Sequence, residues 1–340
     1  MNDQHPGGGI ERGSRGPLVD RFGRTKKKLR LSLTDRCNFR CVYCMPEEPA
    51  WKPRSELLLF EELYTLAALF VTQLGIEQIR LTGGEPLARR NAVNFIAMLR
   101  SLRPAGLKRV SLSTNGVLLG REARALRDAG LDDVNVSLDS LSPARFSGLT
   151  GGGDLNQVLR SIAQARDAGL DVKVNAVVIR GRNENDIVPL ALWGYEYRLP
   201  LRLIEFMPLD ARGLWSPDKV FCEKEIIAAL ARHFDVAAMP HSREPATYYL
   251  LNHTYPLGII STVSNPFCAD CDRIRLTADG RLFPCLFSAA GVDLRSGLRA
   301  GQASDAIEQL IRTSVWNKPR GFVDRPVHTE SPMRMHVLGG

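Results

Sequence analysis

From Leu29 onward the chain repeats a single unit, a short β-type run followed by a helical pattern. The runs are LRLSLT (29–34), QIRLTG (78–83), RVSLST (109–114), DVNVSLD (133–139), DVKVNAVVI (171–179) and LRLIEF (201–206). Helical patterns fall at about 60–74, 91–102, 121–129, 155–168 and 184–197, and Gly75, Gly130 and Gly169 stand where a left-handed C-cap is wanted. Such alternation predicts successive right-handed βα units and a parallel sheet. Six units fall short of a full eight-stranded barrel and predict a partial (β/α)6 TIM-like barrel, open on one side. After Pro208 the rhythm changes to a helix near 223–233, shorter strand-like runs (LGIISTV, DRIRLT, RLFPCL), an Asp279-Gly280 hairpin turn and a last helix around 303–312. This reads as a smaller C-terminal α+β domain laid against the barrel opening. The expected division is 1–22, a disordered basic extension; 23–208, the barrel; and 209–340, the C-terminal domain.

Ligands in parallel α/β folds sit at the carboxyl ends of the strands. Cys37, Gly84, Asn115, Asp139 and Met207 each follow closely on a predicted strand, so they are expected around one mouth.

A length of 340 residues with 44% apolar content supports a large core. No apolar run reaches about eighteen residues, and the opening MNDQHPGGGIERGSRGPL lacks the apolar stretch of a secretory signal. A cytoplasmic protein without membrane contact is expected. Residues 1–22 carry no hydrophobic periodicity, and the run Arg24, Lys26, Lys27, Lys28 and Arg30 reads as a solvated face. The net charge of +8 points to an anionic partner without saying which.

Six of the seven cysteines form two groups of three, Cys37/Cys41/Cys44 and Cys268/Cys271/Cys285, with Cys222 apart. Grouping of this kind favours metal over disulfides in a cytosolic chain. A structural zinc ion wants four ligands, and no His or fourth Cys lies within thirty residues of the first group. A [4Fe–4S] cube held by three cysteines leaves one iron open to a ligand. The second group alone reads as a deficient zinc knuckle; beside the first, it reads as a second three-cysteine cube. Arg273 and Arg275 follow it two residues apart, hence on one face of a strand, and arginine suits bidentate phosphate recognition. Arg30, Arg80, Lys173 and Arg202 add cations on other strands, so the barrel interior is expected to hold several negative charges.

The C-x3-C-x2-C spacing with Tyr43 before the third cysteine, joined to Gly83-Gly84-Glu85-Pro86 after the second strand, resembles the radical S-adenosylmethionine enzymes. The stretches LRLSLTDRCNFRCVYCMP, IRLTGGEPLARR, LSTNG, VNVSLDS, VKVNAVV, RLIEFMPL, FCADCDRIRLTADGRLFPCLF and the final GG extend the likeness to the GTP 3′,8-cyclases of molybdenum cofactor biosynthesis. The resemblance implies two [4Fe–4S] clusters, one on Cys37, Cys41 and Cys44 and one on Cys268, Cys271 and Cys285. It implies S-adenosylmethionine contacts from Tyr43, Gly84, Ser137 and Met207, with Gly83-Gly84 admitting the methionine portion. It implies GTP contacts from Arg30, Arg80, Ser113, Lys173, Arg273, Ile274 and Arg275, with Arg273, Arg275, Gly339 and Gly340 taking part in catalysis. The reaction it implies starts with a 5′-deoxyadenosyl radical that takes hydrogen from C3′ of GTP. The ribose radical then closes on C8, and reduction yields 3′,8-cyclo-7,8-dihydro-GTP. A flavodoxin-, ferredoxin- or reductase-type electron donor and a downstream molybdopterin-pathway enzyme are the implied partners of a monomer or homodimer.

Gln78 departs from the lysine common at its position and Ser113 from threonine. The double-glycine end is read as a tail narrow enough to thread into the barrel mouth. Against these readings stand a peptide-modifying radical enzyme, disfavoured by the arginine pair and the tail, and a zinc-stabilised nucleic-acid binder. The latter lacks any aromatic-basic interleaving, and no nucleic-acid partner is expected.

Overall fold

The structure, a computed structural model, describes residues 16–240, 244–322 and 334–339. The six expected units are present: β1 (Lys28–Ser32), α1 (Phe60–Thr72), β2 (Gln78–Thr82), α2 (Ala92–Arg100), β3 (Arg109–Thr114), α3 (Leu119–Asp128), β4 (Asp133–Ser137), α4 (Pro143–Thr150), α5 (Leu155–Asp167), β5 (Asp171–Val178), α6 (Ile187–Tyr197) and β6 (Leu201–Glu205). The short α4 was not expected. Pro143 at its first turn and Gly151 in the left-handed region after it are the local reasons it starts and stops there.

β1 to β6 pair in parallel and in sequence order. An open six-stranded barrel leaves unpaired backbone groups along β1 and β6, and the rest of the chain supplies their partners. After α7 (Glu223–Leu230), the strands β7 (Val236–Ala238), β8 (Thr247–Leu251) and β9 (Tyr255–Ile260) continue the sheet beyond β6, with β9 parallel to it. β10 (Arg273–Leu276) lies parallel to β1, followed outward by β11 (Arg281–Phe283) and β12 (Val292–Asp293). Among the described residues this is one 12-stranded sheet. The C-terminal part expected at the open side is present, and its strands are continuous with the barrel sheet. Both edges of the barrel are extended, and the opening is bridged by the β9–β10 connection, residues 261–272, which carries Cys268 and Cys271. Three helices complete the chain: α8 (Arg295–Arg299), α9 (Ser304–Trp316) and α10 (Met335–Leu338).

Alternation along the strands divides the molecule. Leu29, Leu31, Ile79, Leu81, Val134, Val172, Ile274 and Leu276 are buried in the main apolar core. The opposite face is polar and lines the lumen. Among the described residues no helix is long and apolar enough to cross a membrane.

Of the extension expected to be disordered, residues 16–22 need correction. Residues 1–15 lie outside the described residues. Leu18 is buried, its main chain is tied to Leu74, and Val19 bridges Thr25. The solvated face expected over 24–30 fails at Lys26, which is 0% exposed.

Candidate functional site

After β1 the chain turns through Thr34–Arg36, held against the second strand's loop by hydrogen bonds from Gly84 N to Thr34 O (2.8 Å) and Glu85 N to Arg36 O (2.8 Å). A Cβ on Gly84 would lie 2.0 Å from Arg36 O, and one on Gly83 2.8 Å from Thr34 O. The glycines are thus required by the approach to Cys37 itself, a reason the sequence reading did not contain. Cys37 Sγ accepts from Phe39 N (3.4 Å) and from Asn115 Nδ2 (3.7 Å). Arg40 N and Val42 N bond to Thr150 O and Leu149 O, fixing the thiol loop to α4. Val42 packs with Leu149, Ile179 and Phe206 in a small apolar cluster beneath Tyr43.

The Tyr43 hydroxyl donates to Asp139 Oδ2 (2.7 Å), and Asp139 Oδ1 accepts from Val177 N (2.8 Å). Burial raises the Asp139 carboxyl to about 6 in spite of these donors. Burial likewise lifts Glu85 to about 7, although it accepts from Asn115 N, Thr114 Oγ1 and Leu87 N. Burial and then the neighbouring Cys37 push the Cys44 thiol up to about 12; Cys37 and Cys41 are also raised, by burial first. Arg40 Nη1 donates to Cys37 O (2.8 Å), and Arg212 donates to Met45 O (3.0 Å) and Arg40 O (2.9 Å), so the loop's carbonyls are held by cations while its thiols stay half-buried.

Below it, register brings the lumen cations into rows. Arg275, Arg30 and Arg80 lie side by side across β10, β1 and β2, and the same row continues through Ser111 to Asp133. One row higher, Ser113 and Lys173 flank Asn135; above these, Ser137, Asn175 and Arg202 align. Arg80 faces Asp133 at 3.6 Å, and Lys173 faces Asp171 at 3.3 Å. Arg30 has no such partner among the described residues. Burial, then repulsion from Arg275 and Arg80, holds its guanidinium well below the ordinary range. Burial brings Arg80 and Arg275 each to about 10. Arg80 Nη1, Arg273 Nε, Thr82 Oγ1 and Asn175 Oδ1 are buried without a hydrogen-bond partner. Unpaired buried groups of this kind cost about 1–3 kcal/mol each; a polyanion would satisfy the Arg80 and Arg273 N–H groups and the Thr82 hydroxyl, whereas Asn175 Oδ1 and Asp133 Oδ1, likewise without a hydrogen bond, need a donor. The Ile274 side chain is 0% exposed in the apolar core, so it is the backbone of Ile274 that belongs to the lumen wall.

The second thiol group lies at the amino end of β10. Burial would raise the Cys271 thiol, but Lys318 and Arg273 outweigh it and bring it to about 6. Gly321 approaches Cys268 so closely that a Cβ there would meet its Sγ at 2.3 Å. Cys222 is elsewhere, at the start of α7. A cavity of about 950 Å³ lies beside Cys285 rather than in the lumen, walled by residues such as Phe287, Ala306 and Leu310 and by no charged side chain. Its chemistry does not suit a triphosphate.

The tail enters the barrel. Met335 N bonds to Leu209 O (3.1 Å), His336 Nδ1 meets Cys44 O (3.2 Å), and Arg275 donates to the carbonyls of Leu338 and Gly339. Gly339 adopts φ +78°, and a Cβ on it would lie 2.0 Å from Thr82 Oγ1. Gly340 lies outside the described residues.

All seven cysteines are half-buried and none forms a disulfide among the described residues. No three His, Cys, Asp or Glu side chains there converge as they would around a single metal ion. A four-iron cube takes its three thiolates on three different irons and so needs no such convergence. The donor set, three thiols at each end of a cationic lumen, fits two cubes. Tyr43, Ser137 and Met207 stand at the same mouth, at or just beyond β4 and β6 and on the loop after β1. Sequence reasoning missed Asp139 as the partner of Tyr43, and it missed Lys26 and Lys318 beside Cys271. Lys318 is 47 residues from Cys271, and no spacing rule joins them.

The family described as the Radical SAM superfamily matches residues 31–194, and that described as Molybdenum Cofactor Synthesis C matches 199–323. A "GTP 3′,8-cyclase" of Mycobacterium marinum is 44% identical, covering 96% of this chain and 92% of its own. A "GTP 3′,8-cyclase 2" of Mycobacterium tuberculosis shows the same identity and coverage. Among solved structures, SuiB of Streptococcus suis bound to its precursor peptide SuiA aligns with TM-score 0.59 at 12% identity, over 88% of this chain and 67% of that one. It shares the fold.

Proposed function

Because this chain belongs to the GTP 3′,8-cyclase family of radical SAM enzymes, we propose that its lumen holds GTP and S-adenosylmethionine between two [4Fe–4S] clusters. It converts GTP to 3′,8-cyclo-7,8-dihydro-GTP, an early step of molybdenum cofactor biosynthesis. The observation that carries this reading is the row of Arg275, Arg30 and Arg80 lying between the two thiol groups.

Cys37, Cys41 and Cys44 hold the first cluster, and Cys268, Cys271 and Cys285 the second. When bound, the first cluster and S-adenosylmethionine supply a one-electron cleavage that gives a hydrogen-abstracting carbon radical. The chain's own residues bind and orient. Tyr43, Gly84, Ser137 and Met207 hold S-adenosylmethionine at the mouth. Arg30, Arg80, Ser113, Lys173, Arg273, Arg275 and the backbone of Ile274 hold the nucleotide. A triphosphate carries about four charges, and each charge-assisted hydrogen bond contributes ~1.5–3 kcal/mol, so several cations suffice for micromolar binding after the losses of association. Gly339, with Gly340 beyond it, places backbone groups rather than side chains against the substrate. The electron is delivered by a flavodoxin-, ferredoxin- or reductase-type donor, and the product passes to the next molybdopterin-pathway enzyme.

Anaerobic incubation with GTP, S-adenosylmethionine and dithionite tests this. Equimolar 5′-deoxyadenosine and cyclised nucleotide are expected from a brown protein. A colourless zinc-loaded protein, or an iron-loaded one that leaves GTP intact, would overturn it.

A further inference from the structure

The lumen accounts for the arginines but not for a second set of buried charges behind the second thiol group. Asp20, Lys26 and Lys318 are each at most 1% exposed, and a buried charge is costly unless paired. Asp20 accepts from Arg24 Nε (2.7 Å) and Lys26 Nζ (2.8 Å). Both cations then reach the cysteine loop: Arg24 Nη1 donates to Cys268 O (2.7 Å) and Lys26 Nζ to Cys271 O (2.6 Å). From the other side Lys318 Nζ donates to Cys271 Sγ (3.2 Å) and Arg273 O (2.9 Å). Arg24 also holds the carbonyls of Pro319 and Arg320, which joins the segment after α9 to the same assembly. Three cations answer to the one buried carboxylate, Asp20; Asp272, next to Cys271, is less buried and is taken by Lys28 at 3.1 Å.

The first thiol group differs at the sulfur. Arg40 and Arg212 do donate to main-chain carbonyls of that loop (Arg40 Nη1 to Cys37 O, 2.8 Å; Arg212 Nε to Met45 O, 3.0 Å) and His336 meets Cys44 O, but among the described residues Cys37 Sγ itself receives only neutral N–H donors, and the carboxyls Glu85 and Asp139 are buried beside it. Hydrogen bonds to cluster sulfurs and nearby charge set the potential of an iron–sulfur site. Reduction adds one negative charge, which an adjacent ammonium stabilises and a carboxylate opposes.

We propose that Asp20, Arg24, Lys26 and Lys318 form a cationic cage that positions the Cys268–Cys271 loop and raises the reduction potential of the cluster held there above that of the first. Lys318, on the sulfur itself, is the main determinant of the potential; Asp20 and Arg24 position the loop. This rests on the reading that Cys268, Cys271 and Cys285 hold a [4Fe–4S] cluster.

The experiment is an EPR-monitored redox titration of the full chain, reconstituted anaerobically. About eight irons per chain establishes the second cluster first, and about four would remove that reading and the cage with it. In Lys318→Met and Lys318→Gln the reduced-to-oxidised ratio of the second cluster at a fixed potential should fall about tenfold, or 59 mV for one electron. The first cluster should stay where it was. Lys318→Arg should restore most of the shift, and Lys26→Met should give a smaller shift of the same sign. Unchanged potentials at full iron content would overturn the proposal, as would equal shifts in both clusters. Loss of the second cluster's iron in every uncharged variant, with retention in Lys318→Arg, would also overturn it, since the cation would then serve assembly alone.

Discussion

Tyr43 was legible as a site residue because it stands beside Cys44, but its hydroxyl is committed to Asp139, 96 residues later, and nothing in the sequence joins them. Tyr43→Phe leaves Asp139 Oδ2 buried without that donor, a loss of about 1–3 kcal/mol. Chemical unfolding of the reconstituted protein should show it, and an unchanged midpoint would mean the bond contributes nothing. The arginine pair was legible for a simpler reason, since residues two apart on a strand share a face. The structure separates their duties. Among the described residues Arg273 makes no hydrogen bond to the tail, whereas Arg275 holds the carbonyls of Leu338 and Gly339. Each alanine variant should weaken GTP binding at least tenfold, about 1.4 kcal/mol. Arg275→Ala should in addition behave as a tail deletion, losing cyclised product even at saturating GTP. Equal turnover of the two variants at saturation would argue against this division.

Among elements, the six βα units were readable because each strand is apolar on its outer alternation and α1, α3 and α5 are followed by a cap glycine, Gly75, Gly130 and Gly169. The short α4 was not, since eight residues give too little periodicity. The packed segment from Gly16 to Phe22 was hidden for a similar reason: it is anchored by Leu18, one backbone bridge and a buried aspartate rather than by a pattern. The Gly83-Gly84 pair was seen, and the structure adds a second reason for it: a Cβ on Gly84 would meet the main chain of Arg36, and one on Gly83 that of Thr34. Gly84→Ala should therefore displace the turn before Cys37 and cost the chain the first cluster, about four irons, while leaving the second in place. Iron and sulfide analysis after reconstitution checks this. Full iron in this variant would show that the turn before Cys37 tolerates the added Cβ and leave Gly84 its contact with S-adenosylmethionine alone.

At the scale of the whole molecule the two halves are one sheet. A fragment ending at Pro208 would expose β1 and β6 as long unpaired edges. It should aggregate or unfold without cooperativity, and a monodisperse, cooperatively unfolding fragment would contradict the continuous sheet. Removing Gly339 and Gly340, or adding a C-terminal tag, should suppress cyclised product while iron content stays normal, because the tail threads between Arg275 and Thr82. Undiminished turnover in a tagged enzyme would make the tail passive. The β1–β10 ladder pairs Lys28 with Arg273 and Leu31 with Leu276. Cys37 follows the carboxyl end of one strand, and Cys271 precedes the amino end of the other. The ladder is thus a ruler whose graduations are strand residues of ~3.3 Å. Adding one residue within either strand would not lengthen the gap by one mark. It would turn Arg30 or Arg275 out of the lumen, so the spacing between the two metal poles is protected against gradual drift.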